Sequence, residues 1–364
     1  MNVPLVDLAL QHRSVREEIE RGMARLFESS AYILGPEVDA FECEFADFQS
    51  VRHCVGVASG TDAIELLLRA HDIGSGDEVV IPANTFIATA LAVVRSGARP
   101  VLADCDADHL LLDPSAVLSV LSPRTRAILP VHLYGQIAPM EALQHSGPRG
   151  PMLLEDAAQA HGARRHDHTA GSFGDGAAMS FYPGKNLGAY GDAGAVLTNS
   201  DAVAARVRAL RNYGSETKYE HPIAGFNSRL DAMQAVVLRA KLRRLAEWNA
   251  LRRAAAARYD ALLADVEHVV RPKTLAGNEH VWHLYVIRVP NRDAVLKKLR
   301  AAGIGAAVHY PHPIHLEGAM QHLGYHAGDF PVAERAASEV LSLPMFPEIT
   351  EEQQVRVVEA LWRR

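Results

Sequence analysis

Between Cys54 and Thr198 short apolar runs alternate with amphipathic stretches so regularly that few architectures can hold the chain. Apolar runs at 54–58, 78–82, 100–103, 127–131, 152–155, 177–181 and 195–198 read as strands. Helical spacing fills 61–70, 86–96, 114–121 and 140–145 between the earlier ones. This order predicts an α/β fold with a large, mostly parallel sheet covered by helices on both faces, because right-handed crossovers are the short way to join parallel strands. Such crossovers bring the strand ends to one rim, which would collect Ser59, Asn84, Asp104, His132, Asp156 and Ser180. In open α/β sheets that rim is where ligands bind.

The remainder of the chain frames this unit. After an extended lead-in at 1–13, residues 14–28 carry helical spacing at Val15, Ile19, Met23 and Leu26, and Pro36 suits the first turn of a helix over 36–48. Beyond the sheet come a helix over 202–212, a polar loop over 213–225 and a helical stretch over 230–264 with no internal glycine or proline. Such length predicts a helix connecting two domains, residues 1–245 and a smaller α/β unit over 246–364. In the second unit strands are expected at 281–289 and 306–309, and helices at 292–302 and 350–362, the last capped by Thr350 with Gln353.

Composition removes several function classes. With 48% hydrophobic and 22% charged residues the chain is neither disordered nor fibrous, and a net charge of −6 is the wrong sign for a nucleic-acid surface. Arg243-Arg244 and Arg252-Arg253 read as a solvated helix face. No apolar run is long enough for a membrane span, and residues 1–13 lack a secretory pattern, so a cytoplasmic protein is expected. Cys43, Cys54 and Cys105 show no Cys-x-x-Cys spacing and read as reduced, buried thiols.

Chemistry concentrates in Ser180-Phe-Tyr-Pro-Gly-Lys-Asn-Leu-Gly-Ala-Tyr-Gly-Asp-Ala-Gly194. Gly184, Gly188, Gly191 and Gly194 around Lys185 suggest positive φ and a close approach by another group, and a lysine so presented is a candidate Schiff-base former. A second stretch, Leu153-Leu-Glu-Asp156, ends an apolar strand in a carboxylate able to pair with a protonated ring nitrogen. In a third, Ser59-Gly60-Thr61-Asp62 turns a strand into a helix, and Ser59 with Asp62 resembles a capping box whose free N–H groups suit a phosphate. An amine, a pyridinium partner and a phosphate cradle are the three requirements of pyridoxal 5'-phosphate.

These stretches, with Pro82-Ala-Asn-Thr-Phe-Ile-Ala-Thr-Ala90 and Gly225-Phe-Asn-Ser-Arg-Leu-Asp-Ala-Met-Gln-Ala235, stand in an order that resembles the DegT/DnrJ/EryC1/StrS family of sugar-nucleotide aminotransferases across essentially the whole chain. The resemblance implies the aspartate aminotransferase fold, fold type I, with Lys185 as the Schiff-base and proton-shuttling residue and Asp156 on the pyridine nitrogen. It implies Gln159 on the ring hydroxyl oxygen, Phe86 against the ring face, and Gly60, Thr61 and Ser180 on the phosphate. No arginine joins that phosphate set, and Asn227 matches the residue that reaches the phosphate from a neighbouring subunit, which implies a homodimer with shared sites. Tyr182, Lys218, Tyr219, Arg229, His309 and Tyr310 match substrate-contacting positions. Without the resemblance, Phe86 would be read as core packing and Asn227 as a surface turn. In His309-Tyr-Pro-His312-Pro-Ile-His315 the prolines forbid a helical histidine face and an extended spacing of three alternates sides, so no metal is expected.

The resulting expectation is amination of a nucleotide-linked keto-deoxysugar, most specifically C3 of a dTDP-linked 3-keto-6-deoxyhexose, with L-glutamate as amino donor. The alternatives are a 4-aminotransferase on a 4-keto-6-deoxyhexose and a non-catalytic regulator on the same scaffold. Lys185 speaks against the family's dehydratase branch, which carries histidine there. An oxidoreductase would need Gly-x-Gly-x-x-Gly after the first strand, where the chain has only Gly56 and Gly60.

Overall fold

The computed structural model describes residues 2–144, 150–217 and 219–362. Its largest sheet has seven strands in the spatial order His53–Val57, Gly194–Thr198, Gly176–Ser180, Met152–Asp156, Thr125–Ile128, Glu78–Pro82 and Arg99–Ala103. Only Gly194–Thr198 runs against the others. All seven expected strands are present within a few residues. They were legible because a strand covered on both faces is apolar throughout. Side chains alternate accordingly: Val79 and Ile81 join a core with helices Gly60–Ala70, Ile87–Ser96 and Asp201–Arg211, whereas Val80 joins the opposite core with Pro36–Phe48 and Ala232–Leu262.

At two helices the cap moves the start away from the sequence reading. Leu8–Ser29 begins well before residue 14, because the Asp7 carboxylate accepts the Leu10 N–H at 3.0 Å and caps an earlier turn. Ile87–Ser96 begins after Phe86, whose extended backbone (ψ 148°) makes it the N-cap. The reciprocal cap of Glu351–Trp362 is present, with Thr350 N–H on Gln353 Oε1 at 2.9 Å and Gln353 N–H on Thr350 Oγ1 at 3.2 Å. At Ser59 only half of a capping box forms: its Oγ accepts the Asp62 N–H, but Asp62 turns to Ser228 and Arg95.

The 31-residue helix Ala232–Leu262 passes from one core to another, Ala235, Leu238 and Leu245 packing beneath the sheet and Ala255, Ala256 and Tyr259 within a C-terminal cluster around Tyr285, Leu341 and Phe346. In that cluster the expected strand 281–289 shrinks to Tyr285–Arg288, paired with Val340–Leu343. The cause is a long-range contact: Trp282 adopts φ +48°, and Val281 and Leu284 give their N–H groups to Gly135 and Tyr134. The expected strand 306–309 reduces to one bridge, Ala307 with Ser342, ahead of Pro311 and Pro313. Arg252 also departs from expectation. It is buried on the long helix and donates to the carbonyls of Trp282, His283 and Met345, so only Arg243, Arg244 and Arg253 remain on the solvated face. Cys54 and Cys105 are buried, while Cys43 is exposed.

Among the described residues no helix is long and apolar enough to cross a membrane.

Candidate active site

Strand pairing assembles the site. Gly194 sits opposite both Val57 and Ser180, which brings the end of the first strand, and the helix that follows it, beside Ser180. The approach is close enough to require glycine. A Cβ on Gly194 would lie 2.4 Å from the Ser59 carbonyl, and one on Gly60 would lie 2.6 Å from Ser180 Cβ. Ser59, Gly60, Thr61 and Ser180 therefore line one end of a cleft of about 590 Å³. The N–H groups opening helix Gly60–Ala70 give that end positive electrostatic character.

Lys185 lines the same cleft, on the loop between Gly176–Ser180 and Gly194–Thr198. The loop is held at both ends, by Phe181 N–H on Ala193 O and Ala189 N–H on Phe181 O, each at 2.8 Å. Asn186 anchors its centre, donating to Asn249 Oδ1 and Val281 O at 2.9 Å. The loop glycines serve close approach and not positive φ: none of Gly184, Gly188, Gly191 and Gly194 has left-handed φ, and a Cβ on Gly188 would lie 2.3 Å from Pro183 O. Removal from solvent pushes the Lys185 ammonium down to about 8, against the opposing pull of the Asp156 charge.

Asp156 ends its strand inside the cleft, only 4% exposed. Burial raises its pKa above the ordinary value, resisted by Thr89 Oγ1–H on Oδ2 at 2.8 Å and the Ala158 N–H on Oδ1 at 3.2 Å. Thr85 Oγ1 lies 2.9 Å from Thr89 Oγ1 and continues the chain of hydroxyls. A buried carboxylate with two donors and no arginine is suited to a further cationic N–H from a ligand.

The opposite wall combines the sheet unit with the C-terminal segment. Gln159 is oriented at both ends, its Oε1 accepting the Tyr134 N–H at 2.6 Å and its Nε2 donating to Tyr310 OH at 3.0 Å. Tyr310 packs against Phe86 with ring centroids 5.1 Å apart, and both line the cleft. Phe86 is 49% exposed there, which excludes the core-packing reading of this residue. His309 also lines the cleft, shares a 2.7 Å hydrogen bond with Ser342 Oγ, and is held neutral by burial, which pushes it down to about 4.

Of the other expected residues, Tyr182 lines the cleft and is largely exposed. Asn227, Tyr219 and Arg229 do not line it. Asn227 is exposed and bridges to Asn212, whose side chain accepts from Arg229 at 3.1 Å. Lys218 lies outside the described residues. Three rim residues are structural instead. Asn84 bonds the Leu110 carbonyl, Asp104 accepts the Val332 and Ala333 N–H groups, and His132 is fully buried with Nε2–H on Glu155 at 2.8 Å. His309, His312 and His315 do not converge: His315 pairs with Glu334 and His312 is exposed. Sequence reasoning assigned no role to Thr85, Thr89, Leu5, Val6 or His283, which also line the cleft. The two threonines lay within a recognised motif, and the N-terminal pair lay within the opening 3–8, whose likeness to the 3-aminotransferase branch underlies the C3 expectation without giving either residue a role.

A phosphorylated pyridine aldehyde fits this donor set. Lys185 supplies the amine, Asp156 a buried carboxylate for the ring nitrogen, the start of helix Gly60–Ala70 with Ser180 a phosphate cradle, and Phe86 an uncovered aromatic face.

Comparison with known proteins agrees with this geometry. The profile of the DegT/DnrJ/EryC1/StrS aminotransferase family matches residues 13–362. The chain is 48% identical to the erythromycin biosynthesis sensory transduction protein EryC1 of Saccharopolyspora erythraea, over 99% of each chain. It is 47% identical to the dTDP-3-amino-3,4,6-trideoxy-alpha-D-glucose transaminase of Streptomyces venezuelae, covering 99% of this chain and 95% of that one. Among solved structures, S. venezuelae DesV in complex with a ketimine intermediate superposes with a TM-score of 0.96 at 47% identity, over 99% and 97% of the two chains.

Proposed function

The chain belongs to the DegT/DnrJ/EryC1/StrS aminotransferase family, and from that premise we propose that it aminates C3 of a dTDP-linked 3-keto-6-deoxyhexose, with L-glutamate as donor. That it is a pyridoxal-phosphate-dependent sugar-nucleotide aminotransferase follows from the family itself. Enzyme therefore replaces regulator as the reading of this scaffold. The observation that carries the catalytic assignment is Lys185, held down to about 8 by burial in the cleft that also contains Asp156.

Pyridoxal phosphate, when bound, supplies an aldehyde for amine capture and a ring that takes up electron density. The residues of the chain supply the rest. Roughly a tenth of Lys185 is neutral at pH 7 for a group titrating near 8, enough for Nζ to accept a proton from the donor's α-carbon side and return it. Asp156 would hold the ring N–H, with Thr89 and Ala158 fixing its two oxygens. Gly60, Thr61 and Ser180 would orient the phosphate, Gln159 the ring hydroxyl oxygen, and Phe86 with Tyr310 would keep water from the ring face.

Asn227 lies outside the cleft of its own chain and exposed, which supports its reading as a group serving the neighbouring site of a homodimer. Tyr182, His309 and Tyr310 line the cleft where the sugar would enter, and Tyr219, Arg229 and Lys218 remain proposed as further substrate contacts on the resemblance alone. The division into 1–245 and 246–364 is supported by the passage of Ala232–Leu262 between two cores.

Specificity for C3 is supported by the transaminase relative named for a 3-amino sugar. With the nucleotide anchored, moving the ketone by one ring carbon displaces it by about 1 Å or more, which can cost about 100-fold in rate. Offering dTDP-3-keto-6-deoxy and dTDP-4-keto-6-deoxy hexoses separately with L-glutamate, and locating nitrogen in the products by NMR, tests this. Amination confined to the 3-keto sugar is expected; faster turnover of the 4-keto sugar contradicts it.

A further inference from the structure

The N-terminal strap contributes two apolar side chains, Leu5 and Val6, to the cleft that contains Lys185. Residues 3–5 are tied to the C-terminal unit by backbone bonds: Val3 N–H to Gly303 O at 3.0 Å, Gly305 N–H to Val3 O at 2.7 Å, and Met345 N–H to Leu5 O at 3.0 Å. The contact is tight, since a Cβ on Gly305 would lie 2.5 Å from Leu5 N. Asp7 then turns the chain into helix Leu8–Ser29. Held between these two fixings, Leu5 and Val6 are only partly buried and line the cleft that contains Lys185.

Resting on the sugar-nucleotide reading given above, we propose that Leu5 and Val6 form an apolar subsite that selects a sugar carbon bearing no hydroxyl, the methyl terminus of a 6-deoxyhexose. Val3 N–H, Val3 O and Leu5 O are already consumed, and Pro4 has no N–H to give. A hydroxyl pressed against this wall would lose water and find little in return, whereas a methyl group gains contact. The strap is bonded through its backbone to the C-terminal unit, which also contributes His309 and Tyr310 to the cleft. An apolar pocket of this kind discriminates against an added hydroxyl by about 100-fold at most.

The test uses the holoenzyme, wild type and Leu5→Asn and Val6→Thr variants, with two 3-keto hexoses on the same nucleotide that differ only in carrying hydrogen or hydroxyl at C6. Efficiency, kcat/KM, is measured for each, together with calorimetric affinity for each aminated product. The wild type is expected to favour the 6-deoxy sugar by roughly 10- to 100-fold in both quantities. The near-isosteric Val6→Thr change should lower that ratio several-fold, and Leu5→Asn should lower it further. Equal wild-type efficiency on the two sugars overturns the subsite. So does a variant that loses activity on both in proportion, because a strap with a purely structural role moves both together. If the wild type aminates neither sugar at C3, the sugar-nucleotide reading fails and this inference falls with it.

Discussion

Replacing Lys185 by methionine should stabilise the apoprotein while abolishing its chemistry. Burial in the cleft lowers the ammonium from 10.5 to about 8, against the attraction of Asp156. At pH 7 the folded state must therefore hold a charge it disfavours, at a cost of about 3 kcal/mol. Methionine has a similar length and no charge, so Lys185→Met removes that cost and leaves most of the packing in place. Because the folded pKa lies below the unfolded one, the folded protein carries fewer protons between about pH 8 and 10.5, and wild-type stability rises with pH across that window. The advantage of the variant should thus be full below pH 8 and close by about pH 10.5. Urea unfolding of both apoproteins at pH 7, 8.5 and 10 measures it. A variant less stable than wild type at pH 7, or a difference that does not narrow with pH, would refute the electrostatic account of this lysine.

Thr89→Val removes the hydroxyl donor from Asp156 Oδ2 and should destabilise the apoprotein by about 1.5–3 kcal/mol at pH 7. The folded carboxyl is already raised and would rise further, so the difference should shrink as pH falls through its folded value; a difference independent of pH speaks against the assignment. Mixing Lys185→Ala with Asn227→Ala subunits should restore activity beyond either parent, since one site of the heterodimer then has both groups intact. An Asn227→Ala protein that binds cofactor normally would contradict the shared site.

The sheet was legible because strands such as Val79-Val80-Ile81, buried on both faces, cannot help being apolar throughout. Lys185, Asp156 and the Ser59–Thr61 turn would each pass alone for ordinary α/β punctuation; their combination pointed to a site, and the fold brings all three to one cleft. What escaped the sequence was set by contacts between distant segments. Trp282 has φ +48° because Val281 and Leu284 pair with the loop at Tyr134 and Gly135, which no local periodicity reports. Arg252 looks like a surface residue of a helix until three carbonyls from two other segments converge on it. The loop glycines were recognised as sites of close approach, but the groups that approach them, Pro183 O and the Ser59 carbonyl, fix ordinary φ and not left-handed backbone. Leu5 and Val6 reach the cleft only because Gly303, Gly305 and Met345 hold the strap there.

The central claim is that Lys185 carries the amine of a pyridoxal-phosphate enzyme, and reduction of the holoenzyme with borohydride followed by peptide mapping addresses it most directly. The account predicts a single phosphopyridoxyl adduct, on Lys185, and none in Lys185→Ala. An adduct on Lys241, on any other lysine, or on none would contradict it.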